Sequence, residues 1–173
     1  MEKIYKTSAI VVVTVLFICG ISSLAYTRSS STTTNTGLNG AIMSTHATGP
    51  FDVKLTPQDE KSIDANFGRF IIDKQYHGDI EGTGKGQMLS AGSAQSSGAY
   101  VAIEFVTCTL QGRKGTFALM HKGVMTRGVP DLDVSVVPDS GTGQLVGITG
   151  KMNIKIDNGK HSYEFDYTLP EAH

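Results

Sequence analysis

From Ala47 onward, Val, Ile, Thr, Phe and Tyr recur at alternate positions in short runs separated by glycine. A period of two marks strands with one face turned to a core. Eight such runs lie near 51–56, 67–76, 79–90, 98–110, 114–126, 131–137, 147–156 and 160–168. Helical periodicity is nearly absent. Thr56-Pro57-Gln58-Asp59-Glu60 has the proline and acids that open a helical turn or two. The stretch Gly141–Gly147 suits one more short turn.

Two hairpins can be set in register. Asp157-Asn158-Gly159-Lys160 carries the Asn-Gly pair of a type I′ turn. It pairs Ile156 with His161, Ile154 with Tyr163 and Met152 with Phe165 on an apolar face. Lys155 with Ser162, Asn153 with Glu164 and Lys151 with Asp166 form the polar face. A one-residue slip would invert both faces, so turn and pattern agree. In the central hairpin, Gly112-Arg113 offers glycine first, as a type II′ turn wants. That turn sets Glu104 opposite His121, between Ala102–Gly123 and Val106–Leu119. A carboxylate then faces an imidazole inside an apolar wall.

Gly82, Gly84 and Gly86 share one face of a single strand. A strand with no side-chain wall marks close packing, a bend or room for a ligand. Eight antiparallel strands in a chain of this length suit a closed barrel or a two-sheet sandwich. Closure removes the free edges that invite aggregation and leaves a bore for side chains or one small ligand. The central strands are apolar on both faces, so their outer face needs a cover or joins subunits.

The first residues follow a different pattern. No charge falls between Lys6 and Arg28, and Ala9–Ile18 is almost wholly apolar behind Lys3 and Lys6. This is an export signal cleaved after Ala25 or, uncleaved, a membrane anchor through residues 9–25, and both place the domain outside the cytoplasm. Residues 26–46 are rich in Ser, Thr, Asn and Gly and read as a flexible linker to a domain at 47–173. Bulky Phe17 and Ile18 argue against lipidation of Cys19. Without Cys19, Cys108 has no disulfide partner.

Charge narrows the functions. The 173 residues hold 15 Lys+Arg and 16 Asp+Glu, and from Ala47 onward the counts are 12 and 15. A mildly acidic domain is no nucleic-acid binder. There is no Gly-x-Ser-x-Gly elbow, no phosphate loop and no metal-ligand spacing among His77, His121 and His161, so no cofactor or metal is expected. Glu104 and His121 are the candidate catalytic pair, with the carboxylate orienting the ring and holding it protonated. The bland reading is a cross-strand pair that satisfies itself. Gly82, Gly84, Gly86, Tyr100 and Tyr163 are the candidate ligand contacts. His77 and Asp79 belong to a turn, His161 to the rim, and Cys108 to the core.

Four stretches resemble a family of small bacterial domains of unknown function. They are Tyr76–Thr83, Tyr100–Thr107 ahead of Gly112–Gly115, Val136–Leu145 leading to Gly147 and Gly150, and Gly159–Thr168. That family is grouped with the allene-oxide-cyclase-like barrels, which include plant dirigent proteins. Gly141-Thr-Gly-x-Leu-x-Gly-x-x-Gly150 is similar to a turn those barrels share. The resemblance implies an all-β, eight-stranded antiparallel closed barrel with a central cavity, here behind an N-terminal hydrophobic helix. It implies no activity, since a shared fold does not carry function. Three readings follow. The barrel binds a small, mostly apolar ligand, or it is an isomerase or cyclase using Glu104 and His121, or it is a non-catalytic homo-oligomer.

Overall fold

The computed structural model describes residues 44–58, 67–94 and 97–170. The leader, most of the linker and Asp59–Glu60 of the expected helical turn lie outside them; Thr56 and Pro57 end a strand. Among the described residues no helix is long and apolar enough to cross a membrane.

Eight antiparallel strands close into a barrel, each paired with the next and the last with the first. They are β1 (Thr45–Pro57), β2 (Phe67–Tyr76), β3 (Ile80–Ala94), β4 (Ser97–Leu110), β5 (Arg113–Thr126), β6 (Val129–Val136), β7 (Thr149–Asp157) and β8 (Lys160–Thr168). β1 reaches back to Thr45, which pairs with Tyr167. The expected turn after Gly141 is a 3-10 helix at Gly143–Leu145.

The β7–β8 hairpin has the expected register, with Ile154 opposite Tyr163 and Met152 opposite Phe165. Asn158 and Gly159 take the positive φ of a type I′ turn, at 49° and 77°. The β4–β5 hairpin differs from expectation. Its loop is Gln111-Gly112, not Gly112-Arg113, with φ 45° and 85°. Glu104 therefore sits opposite Leu119, and His121 opposite Ala102. The shift is by two residues, so both side chains keep the inward face and meet on a diagonal. Three contacts hold Gln111 in its left-handed conformation. Its N–H donates to Asp79 O (2.9 Å), its Nε2 to His46 O (2.9 Å), and Tyr167 OH donates to its Oε1 (2.8 Å).

The two ends of the barrel differ. One is sealed: Leu145 and Ile148, from the β6–β7 connection, are buried beside Ile80, Leu110, Phe117 and Phe165. At the other end, inward-facing Val53, Leu55, Tyr100, Ile154 and His161 remain partly accessible, and Ile156 is exposed. The β6–β7 seam is thin, with one ladder pair (Ser135–Lys151) and an ion pair between Lys151 and Asp133 at 3.0 Å.

The glycines of β3 let it lie close against β4. A Cβ on Gly82 would overlap Thr107 O and the Cys108 backbone, and one on Gly86 would overlap Ile103 O. β3 thus presses on β4 closer than any side chain allows. Gly82→Ala is expected to destabilise the barrel by roughly 1–3 kcal/mol through overpacking. A urea midpoint equal to wild type would refute that account.

Candidate functional site

Alternation along β2 turns Phe70, Ile72, Lys74 and Tyr76 inward. Along β4 it turns Tyr100, Ala102, Glu104, Val106 and Cys108 inward, and along β5 Phe117, Leu119 and His121. Three polar groups therefore meet inside the barrel at one level. Lys74 is 6% exposed, Glu104 0% and His121 3%. They form a polar layer across the bore. Beyond it toward the sealed end lies the large cluster that includes Tyr76, Val106, Leu119 and Phe165; toward the open end lies the small cluster of Phe70, Ile72, Met88 and Ala102.

Glu104 is the centre of the layer. Lys74 Nζ donates to its Oε2 at 2.7 Å, and Tyr76 OH donates to its Oε1 at 2.8 Å. Lys74 also donates to Tyr76 OH at 3.2 Å and lies over the Phe51 ring, 4.9 Å from its centroid. Burial by itself would raise the Glu104 carboxyl. The His121 ring and the Lys74 charge together outweigh burial and hold it down at about 2. Burial, reinforced by the Glu104 charge, pushes Tyr76 well above the usual phenol range and Tyr100 up to about 12.

His121 departs from expectation. Its Nε2 is 3.1 Å from Glu104 Oε2, within ion-pair distance. The approach is too poorly aimed for a hydrogen bond, and among the described residues Nε2 is the buried side-chain nitrogen with no hydrogen-bond partner. Burial lowers the pKa of the ring below 6.5, and the Lys74 charge adds to this against the pull of Glu104. The shift favours the neutral ring, against the direction expected from Glu104 alone. Lys74, unnoticed in the sequence, neutralises the carboxylate in its place. A neutral imidazole beside a fixed carboxylate is able to accept a proton or a hydrogen bond.

The other expected contacts separate. Gly84 makes room for the layer, since a Cβ there would overlap Glu104 Oε1. The space over Gly82 and Gly86 is filled by the β4 backbone. Tyr100 packs its ring on Gly123 at the open side of the layer. Tyr163 lies on the sealed side; its hydroxyl accepts from Ile80 N–H (2.8 Å) and donates to His77 O (3.1 Å), which pins the β2–β3 turn. His77 is exposed at that turn, 3.7 Å from Glu81 and 3.9 Å from Asp52. Cys108 is a buried free thiol raised to about 11 by burial. Among the described residues no cluster of three His, Cys, Asp or Glu side chains is arranged to hold a metal.

A family of proteins of unknown function, DUF3224, matches residues 47–167. The chain belongs to the DUF3224 family. A solved DUF3224 protein of unknown function from Shewanella oneidensis MR-1 is 45% identical, with a TM-score of 0.71. The likeness covers 75% of this chain and 100% of that one. No curated protein matches. The comparisons thus agree with the barrel and attach no reaction to this DUF3224 domain.

Two measurements test the polar layer. Lys74→Met leaves a buried carboxylate without its cation and is expected to cost roughly 3–5 kcal/mol in chemical denaturation. Lys74→Met with Glu104→Leu is expected to recover most of that loss, because it removes both charges; a double variant as unstable as the single one would show that the pair is not the cause.

The second test is pH. The folded pKa of His121 lies below its ordinary 6.5, so its contribution to stability is full above pH 6.5. It falls as pH drops below that value, because the unfolded chain takes the proton first. Glu104, depressed to about 2 from 4.5, contributes above pH 4.5 and loses its contribution as pH falls toward 2. Between pH 8 and pH 5 the wild-type urea midpoint is expected to decline more steeply than that of His121→Gln. Parallel declines would assign the titration elsewhere.

Proposed function

We propose that this protein binds a small, mostly apolar molecule bearing one hydrogen-bonding group, in the open half of the barrel. The observation that carries the reading is the buried His121 Nε2 with no hydrogen-bond partner, at the boundary between the polar layer and the open half. Leaving a buried nitrogen unpaired costs about 1–3 kcal/mol. A ligand hydroxyl that donates to Nε2 removes that cost. The apolar body of the ligand lies against Ile72, Met88 and Ala102 and passes the rim at Leu55, Ile154 and Ile156. Tyr100 packs against the same cluster. The sealed end, with Tyr163 engaged by backbone, takes no part.

The isomerase-type reading uses the same ring on the same bound molecule. Glu104 would not be its acid or base, because both carboxylate oxygens are occupied by Lys74 and Tyr76. Its role is to steady the charge of the ring, which makes it a positioning residue. The wider kinship with the allene-oxide-cyclase-like barrels belongs to this proposal as well, supported by the glycine-rich turn at 141–150. So does a place outside the cytoplasm, supported by the apolar run behind Lys3 and Lys6.

The test uses the fluorescent probe 1-anilinonaphthalene-8-sulfonate. Saturable, blue-shifted binding of one probe per chain is expected. Leu55→Trp and Ile154→Trp, at partly accessible rim positions, narrow the mouth and are expected to weaken binding about tenfold. No saturable binding, or equal binding by the rim variants, would sink the interior site.

A further inference from the structure

The outer wall of β3, β4 and β5 carries side chains that the barrel itself does not use. Leu89 is 53% exposed, Val101 56%, Ile103 44%, Phe105 62% and Met120 47%. They are neighbours across the sheet, since Leu89 pairs with Val101 and Ile103 with Met120. Alternation places them on the face opposite Glu104 and His121. The same wall bears an open hollow of about 520 Å³, lined by Ile71, Asp73, Lys85, Gln87, Ile103 and Phe105. This hollow is separated from the polar layer by the thickness of the wall.

We propose that this wall joins two copies of the chain about a two-fold axis. Each copy offers both halves of the contact, an exposed Phe105 ring and the hollow that this ring helps to line. A two-fold axis lets each ring enter the hollow of the other copy, which is the self-complementarity a closed dimer requires. Charge is self-complementary too. Asp73 and Lys85 line the hollow 3.8 Å apart, so each copy presents both signs of charge to the other. The area suffices. Five large apolar side chains about half exposed present on the order of 500 Å² per copy, and two copies bury on the order of 1,000 Å², the lower range of specific interfaces. A contiguous apolar patch of this size left in water invites association.

Sedimentation velocity on the full-length chain over a rising micromolar range tests the proposal. Wild type is expected to sediment at twice the chain mass, and Phe105→Glu and Met120→Glu at the mass of one chain. Both positions are exposed in the barrel, so the variants keep the wild-type circular dichroism. If one of them fails to fold, the other decides. Wild type at the mass of one chain throughout, as expected if the wall serves a different protein, would overturn the proposal. So would a dimer that survives the folded glutamate variants.

Discussion

One buried carboxylate governs the interior of this barrel. Glu104 is fully enclosed and ionised, and an unpaired charge there would be prohibitive. Lys74 supplies the countercharge, Tyr76 fills the second oxygen, and Gly84 vacates the space that the carboxylate occupies. The group is satisfied only when β2, β3 and β4 are all in place. The polar layer thus penalises any strand register that misaligns these three strands. Because the net charge of the pair is zero, it is compatible with the apolar clusters on either side.

The layer also divides the bore into unlike halves. Below it, large aromatics and the 137–148 connection leave nothing accessible. Above it, the buried apolar cluster is smaller and several inward side chains stay partly accessible, and the thin β6–β7 seam lies alongside. His121 stands at the boundary, its charge disfavoured by burial and by Lys74, and its Nε2 lies 3.1 Å from Glu104 Oε2 without a hydrogen bond. The binding proposal follows from that asymmetry. The apolar outer wall raises a separate question of assembly, which concerns the opposite faces of β3, β4 and β5.

The Asn158-Gly159 turn and the alternation on both sides of it were sufficient to set the β7–β8 register, because both carry local backbone preferences. The β4–β5 register lies two residues from the one its sequence predicts because its turn depends on distant partners. Gln111 adopts positive φ while bonded to Asp79, His46 and Tyr167, and none of these is near it in sequence. The inward face is the predicted one because a two-residue shift keeps parity. Lys74 was missed although the signal was there: it stands at an inward position between Ile72 and Tyr76. A charged residue at a core parity implies a buried partner.

Side-chain alternation and turn-forming glycines, both local properties of the chain, determined by themselves that it forms eight strands and which residues face inward. Closure, the partner of Glu104 and the protonation of His121 were decided by tertiary structure. Each depends on the distance between charges carried by different strands and on how much water is removed around them. Coulomb and desolvation energies of that kind have no counterpart in the linear order of residues.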